Sequence, residues 1–352
     1  MSIILNLISF IVILTIIVAF HEFGHFIFAK ICGVYVYEFA IGMGPKLFGK
    51  KIGETEYTIR AIPIGGFCQL AGEDLDEDDH KKVPKNRRLQ NKSAFQRFLI
   101  MVFGPMNNFI LAVIILFFIA LTVGGTTMDP TISQVEKNSA AYTAGLRKGD
   151  TILKINDHKI VTSDDISLYL AVADPKKENR FYVEHNDGLR DTYSIKPTKI
   201  KKGKKVSYKY GIAMEQEKTK GIVNAFVYTY KKTGSIFKQM FVTVSYLITG
   251  GIKLSQLAGP VGIYSIVGQS RAAGGIANLL YLMAFLSINV GFINLLPIPA
   301  FDGGHILFII IELIKGSPIN PDLENKIHAV FLVLLMLLML VITFNDILRL
   351  FN

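Results

Sequence analysis

The sequence predicts a polytopic α-helical membrane protein with about four transmembrane helices, a β-hairpin region after the first of them and an extracytoplasmic α/β module. Three observations predict it. Apolar residues make up 51% of the 352 and gather into blocks. Four blocks reach the roughly 20 residues that a bilayer crossing needs. Between them lie a stretch of period-two alternation and a longer polar stretch with strand and turn spacing.

The first helix is placed at 1–32. Ile3 to Phe20 carry no charge, and the run continues through His21-Glu22-Phe23-Gly24-His25 to about Cys32. A cleaved leader has a basic start and a small-residue cleavage site; this run has no early Lys or Arg and no such site, so it is read as a retained span. Residues 33–97 read as a β-hairpin region and a charged loop. Tyr35, Tyr37, Phe39 and Ile41 alternate with other residues, Gly42, Gly44, Pro45 and Gly49 punctuate the run, and Tyr57 to Ile64 repeats the alternation. Glu73 to Lys92, an acidic block followed by a basic one, is expected to be a mobile solvated loop. The second helix follows at 98–124.

Residues 125–200 have the spacing of a small α/β module. Strands are expected at Ile132–Val135 and Thr151–Ile155, a helical turn at Ala140–Ala144, a glycine-bounded turn at 145–150, a helix at Asp164–Ala173, and a hairpin of Arg180–Glu184 with Asp191–Lys196 across Asn186-Asp187-Gly188. This order resembles a PDZ domain, which binds peptide ends by strand addition. Peptide screening and steric exclusion of folded ectodomains are both open to it. Residues 201–275 contain a basic stretch, Lys196 to Lys220 overlapping its start, and an amphipathic helix on which Phe237, Met240, Phe241, Val244, Leu247 and Ile248 recur at helical spacing. That helix is read as a packing element or one lying on the membrane surface. The third helix, 276–315, is broken by Pro297, Pro299 and Gly303-Gly304; a loop at 316–328 leads to the fourth helix at 329–352.

Lys and Arg near the ends of spans mark the cytoplasmic side. Residues 1–20 have none, whereas the connection after the first span has Lys30, Lys46, Lys50, Lys51 and, at its far end, Lys85, Arg87, Arg88, Lys92 and Arg97. That connection is therefore assigned to the cytoplasm, and the 126–275 segment and both termini to the outside. The net charge of +10 comes partly from the outer basic stretch, read as a solvated face or a contact for lipid headgroups. No nucleic-acid motif is present. Cys32 and Cys68 are the only cysteines, both on the inferred cytoplasmic side, so free thiols are expected.

Ionisable groups at membrane depth are costly unless paired or bound, which makes His21, Glu22 and His25 functional candidates. On a helix, residues i and i+4 share a face, so His21 and His25 can aim two imidazoles at one zinc while Glu22 lies beside the metal's water. A catalytic zinc takes three protein ligands and keeps one open position. The other spans offer one segment for the third ligand, Asn294 to His305, where prolines and glycines interrupt an apolar run; irregular backbone at that depth is tolerated where it lines a wet cavity or is buried in protein. Asp302 is the first choice, His305 the competing one, with a supporting role beside the metal as its alternative. Asn294 is a candidate donor to a substrate carbonyl or its oxyanion, or else makes an interhelical hydrogen bond.

HExxH in the first span, Gly104-Pro105-Met106-Asn107-Asn108-Phe109 in the second, Ala258-Gly259-Pro260-Val261-Gly262 before the third, Asn294 to Gly304 within it and the Phe344-Asn345-Asp346 ending together resemble the site-2 proteases. The resemblance is to the bacterial branch that cuts membrane-anchored anti-sigma factors and signal-peptide remnants, and it covers nearly the whole chain. It implies Zn2+ held by His21, His25 and Asp302, Glu22 as catalytic acid/base, a membrane-associated β element at the hairpin, and cleavage of single-span substrates inside the bacterial cell membrane from its cytoplasmic side. Phe301 stands where the family commonly has leucine. Two other readings remain: a membrane-embedded peptide receptor or scaffold with a structural or empty metal site, and a transporter, for which no inverted repeat is found.

Overall fold

The computed structural model describes residues 2–73, 83–202, 205–214, 216–252 and 256–351. The core of the charged loop expected to be mobile, 74–82, falls outside them. The chain divides into two compact units, Met1–Ile115 with Leu254–Asn352, and Leu116–Lys253. Among the described residues four helices are long and apolar enough to cross a membrane.

In the first unit, helix α1 (Ser2–Ile31) is apolar on all sides, as lipid or protein burial requires. It leads into two long strands, β1 (Val36–Ile52) and β2 (Thr55–Leu70), each of which bends and pairs twice. Phe39 lies opposite both Cys68 and Tyr57, while Lys50 lies opposite Tyr57 and Ile52 opposite Thr55. The hairpin therefore becomes four short strand segments, with 66–70 at one edge. Gly42 makes one bend at φ +87°, where a Cβ would come 2.7 Å from the carbonyl oxygen of Ile62. Met43, Leu47, Phe48 and Ile59 are exposed on this hairpin, an apolar surface that fits contact with lipid.

Helix α2 (Ala94–Ile119) is the second apolar helix. The run read as 276–315 divides in two: a long helix, Pro260–Leu295, kinked at Gly274 and Gly275, and a shorter one, Asp302–Lys315. Proline at 297 and 299 cannot donate to a helical ladder, and the chain between the two helices turns irregularly. The long helix begins at Pro260 rather than 276 because Asp346 of the last helix accepts hydrogen bonds from the amides of Gly259 (2.9 Å) and Gly262 (2.8 Å), satisfying donors that a helix start leaves open. This joins two sequence motifs that are far apart in the chain. The last helix, Pro321–Phe351, starts at Pro321 rather than 329. Asn320 caps it through Asp322, proline suits the first turn, and Asp322 and Glu324 favour the positive end of the helix, which outweighs the polar composition that reads as loop.

In the second unit the described strands and helices include β3 (Gly125–Thr126), β4 (Ile132–Val135), α3 (Ala140–Ala144), β5 (Thr151–Ile155), β6 (His158–Lys159), α4 (Ser163–Val172), β7 (Asn179–Glu184), β8 (Arg190–Ile195), β9 (Thr198–Lys202), β10 (Lys205–Lys209), β11 (Ile212–Met214), β12 (Lys218–Thr219) and α5 (Ile222–Ile248). An antiparallel sheet runs in the order β6-β5-β7-β8. Ser139 caps α3, and Thr162 with Asp165 forms a capping box on α4. Phe181, Ile132, Leu146, Ile152 and Ile155 fill the core, which also takes in Tyr210, Ile212 and Met214. Because β11 pairs with β4, the packed unit continues past residue 200, where the basic composition suggests an end. Helix α5 is longer than its apolar repeat indicates, and Lys232 and Ser235 on it both bond Asp164 Oδ2 (2.7 and 2.9 Å). For the rest of the first unit, α6 denotes Pro260–Leu295, α7 Asp302–Lys315 and α8 Pro321–Phe351.

The turn of the β1–β2 hairpin is tied down by ions. Arg87 grips both oxygens of Glu54 (2.7 and 2.8 Å), and Lys30 at the end of α1 adds a third contact (2.7 Å). Hydrogen bonds from Arg87 hold the Glu54 carboxyl at about 2, against an ordinary 4.5. A carboxylate held low contributes stability that is complete above its unfolded value and is lost as pH falls through the folded one. Glu54→Gln is expected to flatten the loss of thermal stability as pH falls from about 5 toward 3, measured by unfolding the detergent-solubilised protein.

Candidate metal centre

His21 and His25, one turn apart on α1, are buried with their Nε2 atoms 3.3 Å apart. Asp302, the first residue of α7, brings Oδ2 to 3.1 Å from His21 Nε2 and 3.5 Å from His25 Nε2. Tetrahedral zinc with bonds of about 2.0–2.1 Å spaces its ligand atoms about 3.3 Å apart. The triangle thus has the edge lengths of a zinc site with a fourth position open. Asp302 Oδ2 is buried with no hydrogen-bond partner, an arrangement that suits a cation and costs free energy without one. The carboxylate also sits in the first turn of α7, at the positive end of the helix.

The far sides of both rings are held. His25 Nδ1 lies 2.8 Å from the Ile100 carbonyl oxygen, which can only accept, so the proton sits on Nδ1 and Nε2 keeps its lone pair. His21 Nδ1 lies 3.3 Å from the Asn108 amide nitrogen, while Asn108 Oδ1 is buried and unpartnered. A half-turn of that amide lets Oδ1 accept from His21 Nδ1 and frees His21 Nε2 for a metal in the same way.

Two glycines make room for this. A Cβ on Gly24 would lie 2.0 Å from the carbonyl oxygen of Phe103, and one on Gly104 would lie 2.2 Å from His25 Nε2. The first span therefore touches the second's backbone at Gly24, and the His25 ring lies against Gly104. Further along α7, an ion pair of Arg97 on α2 with Glu312 (2.6 Å) ties the two helices together.

Glu22 Oε2 accepts a hydrogen bond from the Cys68 amide (3.1 Å) at the 66–70 edge of the hairpin. Glu22, His21, His25, Asp302 and His305 line one cavity of about 140 Å³. Glu22, Cys68 and His305 also line a larger one of about 870 Å³ whose other walls include Glu38, Arg60, Gln69 and Asn325, a polar chamber able to hold water. The structure thus brings together His21, Glu22, His25 and Asp302. His305, the competing ligand, bonds Glu324 through Nδ1 (3.1 Å) instead. Asn294 is half-buried in the last turn of α6 and does not line either cavity. The sequence reading missed the Ile100 carbonyl and the Cys68 amide, since a backbone group has no residue signature. It quoted Asn108 only as part of a motif.

The model of peptidase family M50 matches residues 9–338. The chain belongs to that family. It is 36% identical to the regulator of sigma-W protease RasP of Bacillus subtilis, over 98% of this chain and 99% of that one. It is 38% identical to a putative zinc metalloprotease of Clostridium perfringens, over 93% and 94%, and 33% identical to one of Staphylococcus aureus, over the full length of both. This M50 peptidase is a metalloendopeptidase of the site-2 protease type and a multi-pass membrane protein.

Gly104→Ala is expected to push the His25 ring off its position and, if the triangle holds zinc, to weaken zinc affinity about tenfold or more, read by titrating the purified protein with zinc. A Gly104→Ala protein with unchanged zinc affinity would contradict the close packing.

Proposed function

We propose that this M50 peptidase is a zinc-dependent intramembrane endopeptidase that cuts single-span membrane proteins, with His21, His25 and Asp302 as the Zn2+ ligands and Glu22 as general base and acid. The observation that carries the proposal is the meeting of three metal-type donors at zinc spacing in one cavity with Glu22. Zinc, when bound, supplies Lewis-acid activation of a water and of the scissile carbonyl. Glu22 takes the proton that the attacking water loses and returns it to the leaving amide nitrogen. The Cys68 amide fixes one Glu22 oxygen, leaving the other for that transfer. Asn294 is proposed as a donor to the substrate carbonyl or its oxyanion.

A helical substrate hides its amides and must be extended before hydrolysis. The 66–70 edge of the hairpin, beside Glu22, is suited to pair with such an extended stretch. The polar chamber would bring water to a site otherwise screened by lipid. Basic residues around the 33–97 region support a cytoplasmic location of the active site in a bacterial cell membrane, with the second unit outside. Its 125–200 core, in the order of a PDZ-like fold, would screen or exclude substrates before they reach the membrane. The name of the Bacillus subtilis relative favours anti-sigma factors as substrates, with signal-peptide remnants as a further class.

Glu22→Gln is expected to lower cleavage of a single-span test helix about 100- to 10,000-fold while zinc content stays near one per chain. Asp302→Ala is expected to lower both. Undiminished cleavage by Glu22→Gln would show that the cleavage does not arise at this site and overturn the role given to Glu22, whereas absence of cleavage by the zinc-loaded wild type would favour the receptor reading.

A further inference from the structure

A second group of metal-type side chains, His305, Glu324 and His328, lies next to the first. Its geometry argues against a second cation. The His305 and His328 rings stack with centroids 4.0 Å apart and planes at 20°, so an ion within bonding distance of both would lie out of the plane of at least one ring. His328 Nδ1 accepts a hydrogen bond from the Ala300 amide (3.1 Å), which puts the ring proton on Nε2 and removes that lone pair.

What His328 does hold is the turn that delivers Asp302. Ala300, two residues before the ligand, sits at φ +90°, a left-handed backbone that residues with a Cβ rarely adopt. Prolines at 297 and 299 leave this stretch few amides, and the Ala300 amide goes to His328 on α8. The same ring stacks on His305, one turn along α7 from Asp302, and His305 Nδ1 is bonded to Glu324, one turn before His328. Both contacts run from one face of α8 to the start of α7. We propose that His328 is a positioning residue for the Asp302 ligand, acting through the Ala300 amide to hold the irregular turn in the conformation that points Oδ2 at His21 and His25. This rests on the zinc reading given above.

The test uses the acceptor's position on the ring. In His328→Asn the side-chain oxygen falls near the place of Nδ1; in His328→Gln it falls near Nε2; His328→Phe keeps the stack and removes the acceptor. The full-length protein in detergent is titrated with zinc against a chromogenic chelator, and the thermal midpoint of each metal-free form is recorded. His328→Asn is expected to bind zinc within about threefold of wild type, and the Gln and Phe forms about 10- to 100-fold more weakly, with metal-free midpoints close to wild type. Equal affinity in all three variants would overturn the proposal. So would weakening in all three in step with lowered midpoints, the mark of lost packing, or two zinc ions per wild-type chain with one lost in each variant. A wild-type protein whose zinc is unaffected by Asp302→Ala would instead sink the ligand assignment itself, and this inference with it.

Discussion

Three metal-type donor atoms crowded around one buried point are the constraint around which the first unit is arranged. His21 Nε2, His25 Nε2 and Asp302 Oδ2 lie within 3.1–3.5 Å of one another. Without a cation such a group is unfavourable, because buried acceptors with no donors lose hydration and gain nothing. The surroundings hold it in place nonetheless. The Ile100 carbonyl and the Asn108 amide fix the two rings, the start of α7 favours the carboxylate, and the Arg97–Glu312 pair joins α7 to α2. A cation entering the triangle would need little rearrangement of these groups.

Much of this was legible in the chain. HExxH at the end of an uncharged run pointed to His21, Glu22 and His25, and the proline-broken run to Asp302, the four groups that meet in one cavity, because ionisable residues and broken helices at membrane depth both require a reason. The hairpin and the strands of the second unit could be read from alternation and turn residues, and Ile132–Val135 and Thr151–Ile155 are strands in the structure as the pattern predicts.

Less legible were features set by contacts between distant segments. The long helix starts at Pro260 because Asp346, far along the chain, satisfies its first amides. The second unit's core runs past 200 because β11 returns to β4. The last helix starts at Pro321 within a polar stretch, since capping and end charges compensate for a lack of apolar residues. In each case local composition pointed to loop, and a long-range or terminal interaction decided otherwise. The backbone donors and acceptors that orient Glu22 and His25 could not have been found by any reading of side-chain types.

The backbone contact at Gly24 and Gly104 also bears on how a substrate arrives. At Gly24 the first span lies directly on the Phe103 carbonyl of the second, and at Gly104 the His25 ring takes the space a side chain would fill. Prising the spans apart here would pull His21 and His25 away from the Asn108 amide and the Ile100 carbonyl that hold them. For a substrate entering sideways from the lipid, as the proposed function has it, this is the seam least suited to open, because glycine has let the two walls close to contact distance there.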